Sequence, residues 1–282
     1  MHGVVVVGRK GRVIPKAIVQ AIEANREDDS LHSGTALTAT SAIGCPRALL
    51  ISRMFPYEVK VEDLWTMDCG RRMHQSILED IGHDEEWVTE VWRPELCMFK
   101  GKILGLGREM ACKTDMFTQG VLSGEGPKEI CDIKFTLSKA DDWATEVAKP
   151  DHQVQLNLNK RLIEVSLGRS LKDCVLSILT VGKTWVRSIS PHLTDEQLLA
   201  VSCGMTRYSQ KSWAYGRLLK YVTVAFDKWD EVGVEKASVG AKEAIVREMP
   251  KVGLDMYVSK KGENKCTWCS VKRKCDEIGV GI

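Results

Sequence analysis

The stretch Cys266-Thr-Trp-Cys269-Ser-Val-Lys-Arg-Lys-Cys275 constrains this chain more than any other. Cysteines at x2 and x5 spacing can converge on one metal centre, because each short gap lets the backbone turn once around it. A tetrahedral thiolate site wants a fourth donor. The best candidate lies far upstream in Ser41-Ala-Ile-Gly-Cys45-Pro46-Arg47, where Pro46 suits the first position of a helix and Cys45 the cap before it. Such a pairing ties the two ends of the chain together. Lys265, Lys272, Arg273 and Lys274 crowd the terminal cysteines, a setting that favours thiolates, and zinc is the usual occupant of such a site. Cys69, Cys97, Cys112, Cys131, Cys174 and Cys203 read instead as small buried hydrophobes.

Ten cysteines in 282 residues are too sparse for a disulfide scaffold, so a reducing cytoplasm is expected. A hydrophobic content of 44% is enough to bury a real core, in one large domain or two small ones. The formal charge of +2 neither demands nor excludes a nucleic-acid partner. The apolar run in Met1-His-Gly-Val-Val-Val-Val7 is far too short for a membrane span, and neither targeting nor transmembrane character is expected.

Along the chain, Gly11 to Arg26 carries apolar residues at near-helical spacing and leads into the polar run Glu27-Asp-Asp-Ser30, as an N-terminal extension with a linker would. A helix is expected from Pro46 to about Pro56, and another from Val61 to Ile81. The second has a stripe of Leu64, Met67, Gly70, His74, Ile77 and Ile81. His74 on such a stripe is either a satisfied core residue or a ligand. Gly70, costly in mid-helix, suggests close approach of another group to that face.

From Trp87 to Phe135 the pattern is strand-like, in an antiparallel meander: Trp87–Trp92, Lys102–Gly105, Met110–Phe117 and Glu129–Phe135, divided by breaks such as Ser123-Gly-Glu-Gly126-Pro127. Asp115, Asp132 and Lys134 put charge where a buried strand should have none. Asp132 and Lys134 share one side of their strand by period-2 alternation, which makes them either a surface ion pair or part of a site that Asp115 completes. A helix from Pro150 buries Val154, Leu158, Leu162 and Val165, with Gln155 and Asn159 beside that stripe as polar caps of a sheet edge or as site residues. Leu176 to Ile189 reads as a strand pair broken at Gly182. Gly182-Lys183-Thr184 is no phosphate loop, since Ser177 stands where the required glycine would be. Thr194–Glu196 opens a further helix, and Tyr215 to Trp229 marks a long amphipathic one leading to the terminal cysteines.

The order of a cysteine-capped helix, His74, Asp115, Asp132-Ile133-Lys134, His152-Gln-Val-Gln155 and a final Cys-x2-Cys-x5-Cys resembles the RecB-like nucleases of the PD-(D/E)XK superfamily. It is most like their iron–sulfur branch, which includes CRISPR-associated exonucleases and their phage and viral relatives. The similarity covers Thr35 to Ile282 and leaves residues 1–34 as an N-terminal extension. It implies an α/β, restriction-endonuclease-like domain at 35–282: a mixed sheet flanked by helices, with a C-terminal helical and cysteine-cluster region.

The resemblance further implies a metal-dependent DNA exonuclease. Mg²⁺ or Mn²⁺ would be held by His74, Asp115, Asp132 and the backbone carbonyl of Ile133. Lys134 would orient the attacking water and counter charge in the transition state, with Gln155 in support. Cys45, Cys266, Cys269 and Cys275 would hold a structural 4Fe–4S cluster, and closing so long a loop is worth about 5 kcal/mol in a chain-entropy estimate. The implied partners are single- or double-stranded DNA with ends, and proteins of recombination or CRISPR adaptation. The rival readings are a structure-specific endonuclease on the same fold and a DNA-binding module without turnover. The chain departs from the family pattern at Asn159, where a tyrosine is common, and at Lys113-Thr114, where a glycine is common just before the first aspartate.

Overall fold

The computed structural model describes residues 37–56, 58–142, 144–200, 237–249 and 269–279, with short pieces at 5–7, 202–203 and 213–214 and isolated positions at 20, 220, 223–224, 227–228, 230–231 and 233. The N-terminal extension with near-helical spacing over 11–26 and the helix expected over 215–229 fall, apart from those isolated positions, outside the described residues. Two compact units divide the chain: Met1–Leu37 with Ser41–Asp68 and Leu199–Ile282, and Thr38–Thr40 with Cys69–Leu198.

In chain order the elements begin with β1 (Val5–Val7), β2 (Leu37–Thr38), α1 (Ala39–Ile43), α2 (Pro46–Met54), β3 (Glu58–Lys60) and α3 (Val61–Ile81). There follow β4 (Trp87–Thr89), β5 (Met98–Gly101), β6 (Met110–Lys113), β7 (Met116–Thr118), α4 (Gln119–Ser123) and β8 (Glu129–Phe135). Next come α5 (Pro150–Leu167), β9 (Val175–Val181), β10 (Trp185–Ser190) and α6 (Asp195–Ala200), then β11 (Ser202–Cys203), β12 (Trp213–Ala214), α7 (Val239–Arg247) and α8 (Lys272–Ile278).

The second unit is built on a five-stranded sheet in the order β10-β9-β8-β7-β4. Its β8–β9 pair is parallel and the other pairs are antiparallel, so the sheet is mixed. Two parallel strands need a long crossover, and α5 supplies it between β8 and β9. Alternation along β8 sends Cys131 and Ile133 towards Leu78, Met116 and Val181, with Ile77 and Ile81 of α3 packed around them. Asp132 and Lys134 therefore belong to the opposite side, where Asp132 meets Gln155 of α5. That helix also packs on β5 and β6, so it is buried nearly all round, through Val154, Leu156, Leu158, Leu162 and Ile163. Of its buried polar residues, Asn157 donates to the Gln153 and Pro191 carbonyls and accepts from the Leu193 amide, whereas Asn159 Oδ1 has no hydrogen-bond partner. Val165, expected in the stripe, is 51% exposed.

Three strand expectations are corrected. The single meander is instead divided between two sheets, because Met110–Phe117 breaks into β6, paired antiparallel with β5, and β7, paired with β4 and β8. The step falls at Thr114-Asp115, where the Thr114 amide bonds the Cys97 carbonyl and the Asp115 carbonyl accepts from Glu90. The strand expected at Lys102–Gly105 lies earlier, at Met98–Gly101, since Leu104 (φ 55°) and Gly105 (φ 67°) are left-handed and cannot continue a strand. The Trp87–Trp92 strand ends at Thr89, where a turn closes with Arg93 N–H on the Thr89 carbonyl. Gly182 does interrupt the β9–β10 hairpin, at a point where a Cβ would lie 2.3 Å from the Ser138 carbonyl oxygen.

In the first unit, α2, α7 and α8 pack around Leu50, Ile51, Met54, Val246, Met249, Val271, Cys275 and Ile278. Pro46 starts α2 with Cys45 as its cap residue, as the sequence predicts, and Ser238 caps α7 by accepting from the Ala241 amide. Among the described residues no helix is long and apolar enough to cross a membrane.

Candidate metal centre and active site

The site grows from the gap that the change of sheet leaves beside β8. Pairing of β7 with β8 starts at Met116↔Cys131, so Ile133 has no backbone partner on that edge. The Asp115 side chain takes the vacant place: its Oδ2 accepts from the Ile133 amide at 2.7 Å and lies 3.0 Å from His74 Nε2. A residue in an extended strand sends its N–H and C=O to the same edge, so the Ile133 carbonyl also leaves on this side. His74 reaches Asp115 from the C-terminal half of α3, and its Nδ1 stands 3.6 Å from Glu90 Oε1. Glu90 Oε2 is held in turn by Lys113 Nζ at 2.9 Å.

Asp132, 4% exposed, is the other half of the constellation. Its Oδ1 accepts from Gln155 Nε2 at 3.1 Å, and its Oδ2 is ion-paired with Lys134 Nζ at 2.7 Å. Asp151, at the start of α5, is buried with an Oδ1 that has no hydrogen-bond partner, and its charge acts on Lys134.

The electrostatics follow from burial and crowding. Burial pushes Asp132 up to about 6, against the pull of Lys134 and with the reinforcement of Asp115. Burial acts on Asp115 too, but the hydrogen bond and charge of His74, with Lys134 and the Ile133 amide, hold it below its ordinary value. Burial works against the His74 cation, yet Asp115, Glu90 and Asp132 outweigh it and raise the imidazole. Glu90 is raised by burial and by Asp115, with Lys113 opposing. His74 thus stands where three carboxylates favour its charged form.

The sequence-expected residues His74, Asp115, Asp132, Ile133, Lys134 and Gln155 are all brought together. The tightest donor set is not the expected one, however. His74, Glu90 and Asp115 place one ligand atom each within 4.8 Å of one another, while Asp132 stands beside them, committed to Lys134 and Gln155. Sequence reasoning does not single out Glu90. Its signal is weak: an acid at the end of an apparent strand, which becomes telling only once the turn after Thr89 aims it at His74. Gly70, expected to mark a close approach, has only ordinary neighbours, the nearest being the Phe135 ring, 3.7 Å from where a Cβ would lie. One imidazole among several carboxylates suits a hard or borderline divalent cation such as Mg²⁺ or Mn²⁺, so the residues fit the expected metal.

Of the cysteines expected to be small buried hydrophobes, Cys69 departs from that reading and four others follow it. Cys97, Cys112, Cys131 and Cys174 are buried, and burial pushes each thiol up to about 12, which keeps it protonated and inert. Cys69 is only partly buried. Cys45 caps α2, while Cys269 and Cys275 belong to the small core that α2 and α8 share. Cys266 lies outside the described residues. In the same core the buried Arg47 keeps Nε and Nη1 without a hydrogen-bond partner, an orphaned cation that thiolates would satisfy. Among the described residues, Cys45, Cys269 and Cys275 do not form a group with ligand atoms within 4.8 Å of one another.

No family model matches this sequence, and no curated protein matches it. Among solved structures, the crystal structure of SSO0001 is similar over 66% of this chain and 82% of its own, at 12% identity and a TM-score of 0.44.

Proposed function

We propose that this chain is a metal-dependent DNA nuclease of the RecB-like PD-(D/E)XK type, acting on DNA with ends, with a 4Fe–4S cluster as a structural staple. The observation that carries the reading is the buried Asp132–Lys134 pair, braced by Gln155 and set beside the His74–Glu90–Asp115 donors. On this reading the mixed sheet and its helices are a restriction-endonuclease-like core, and the cysteine-bearing helix α8 belongs to its C-terminal region.

His74, Asp115 and Asp132, with Glu90 and the Ile133 carbonyl at hand, would hold Mg²⁺ or Mn²⁺. When bound, such an ion supplies Lewis acidity at a phosphate oxygen and makes water more acidic. Asp132 fixes Lys134 at 2.7 Å, so the ammonium stands ready to orient a water and to meet negative charge that grows on the phosphate. Gln155 holds the other carboxylate oxygen and so keeps Asp132 from turning away. The likeness extends to partners in recombination or CRISPR adaptation, which would bring DNA ends to the site. Metal-dependent release of nucleotides from end-labelled linear DNA tests the activity, and a closed circular substrate separates exonuclease from endonuclease.

A further inference from the structure

We infer that Asp151 is a positioning residue for Lys134: its carboxylate holds the ammonium in the site when a divalent ion claims Asp132. The inference rests on the reading that Asp132 is a metal ligand beside Lys134. Asp151 is 7% exposed, and its Oδ1 has no hydrogen-bond partner. Its Oδ2 stands 4.0 Å from His152 Nε2. Asp151 is the second residue of α5, and an acid there suits the helix dipole. The dipole accounts for the charge. It does not account for a buried carboxylate oxygen without a donor, which costs free energy until some group in the working protein meets it.

The fold sets Asp151 level with Lys134. As the crossover between the parallel strands β8 and β9, α5 runs back against both of them. Asp132 and Lys134 are two residues apart on one face of β8, a rise of about 7 Å. Asp151 and Gln155 are four residues apart on one face of α5, a rise of about 6 Å. Gln155 bonds Asp132. The opposed course of helix and strand then brings the residue one turn earlier in α5 to the residue two further along β8, which sets Asp151 opposite Lys134. The electrostatics agree, since Asp132, Asp115 and Asp151 all act on Lys134. These three acids are not equivalent. Asp132 holds Lys134 with Oδ2 and Gln155 with Oδ1, so an ion arriving at Asp132 competes with the lysine for an oxygen. Asp115 is itself a metal donor, and its Oδ2 already serves His74 and the Ile133 amide. Asp151 lies outside the donor set with one oxygen uncommitted. It is the acceptor to which Lys134 can turn without leaving the site.

Calorimetric Mn²⁺ binding in a double-mutant cycle tests this without turnover, with wild type, Asp151→Asn, Lys134→Met and the double variant. In Asp151→Asn the ammonium has no second carboxylate and stays on Asp132, where it opposes the ion. With Lys134→Met there is nothing to displace. The plain loss of a negative charge weakens Mn²⁺ in both backgrounds and cancels in the cycle, so the fall in affinity caused by Asp151→Asn should be at least tenfold larger with Lys134 than without it. On linear DNA in saturating Mn²⁺, Asp151→Asn should also lower kcat at least tenfold and leave KM within threefold. Equal falls in affinity in the two backgrounds, or an unchanged kcat, overturn the inference and leave the nuclease reading standing. Should Asp151→Asn not fold, Asp151→Ser is judged by the same cycle. Wild type that binds Mn²⁺ and cuts no DNA overturns the nuclease reading, and the cycle alone then decides whether Asp151 holds Lys134. Wild type that binds no Mn²⁺ overturns the metal site and this inference with it.

Discussion

Replacing Asp132 by Asn should stabilise the metal-free protein. In the native state burial holds the Asp132 carboxyl at about 6, whereas in the unfolded chain it returns to its ordinary 3.8. A folded-state value raised in this way means that stability is fully present below the unfolded value and is lost as pH rises through the folded one. Such a rise corresponds to about 3 kcal/mol lost near pH 7.5, and about 1 kcal/mol near pH 4.5. Asn stands in for the neutral form: its carbonyl oxygen can still accept from Gln155, and it carries no buried charge. Asp132→Asn should therefore gain about 3 kcal/mol over wild type near pH 7.5 and about 1 kcal/mol near pH 4.5. Urea unfolding in the presence of chelator, with equal m-values for the two proteins, measures this. Adding Mn²⁺ should stabilise wild type and not the variant, which shrinks or reverses the gap. A variant no more stable than wild type near pH 7.5, or a gain independent of pH, would show that the buried Asp132 charge does not destabilise the fold.

Glu90→Gln should weaken Mn²⁺ binding at least tenfold in calorimetry while leaving the fold intact; unchanged affinity would reduce Glu90 to a partner of Lys113. The affinity of wild type for Mn²⁺ should fall as pH drops, because His74, raised above its ordinary value, must lose its proton to bind; a flat profile from pH 8 to 6 would contradict this. Gly70→Ala should stabilise by about 1 kcal/mol, as a helical position with room for a methyl group, and a loss of stability in thermal unfolding would show that the Phe135 ring cannot give way.

The elements that frame the site are readable because each carries one period from end to end. Val61–Ile81 and Glu129–Phe135 fall where the sequence puts them. The Pro150 helix also falls where expected, but its buried surface is wider than the expected stripe, since two sheets cover it and nearly every face is internal. Met110–Phe117 misleads for a physical reason: alternation continues through Thr114-Asp115 even though the chain leaves one sheet for another there, and side-chain period carries no record of which backbone a strand pairs with. That hidden step is what frees the Ile133 amide for Asp115. His74, Asp132 and Lys134 stand out as charge or imidazole on otherwise apolar elements. Glu90 does not, because an acid in a short alternating strand looks like any solvent-facing residue. Arg47 is equally quiet, since a basic residue in the first turn of a helix is ordinary until its burial is known.

Catalysis is read from the release of nucleotides from end-labelled linear single- and double-stranded DNA, in Mg²⁺, in Mn²⁺ and in chelator, by wild type, Asp132→Ala and Lys134→Ala. Wild type should cut in metal and not in chelator, and each variant should lose several kcal/mol of transition-state stabilisation, roughly a thousandfold in rate or more, while still binding DNA. Nonspecific affinity is a sum over many phosphate contacts, so one lysine is a small share of it. Wild type that binds Mn²⁺ yet cuts no linear DNA, or variants that cut as well as wild type, would contradict the account.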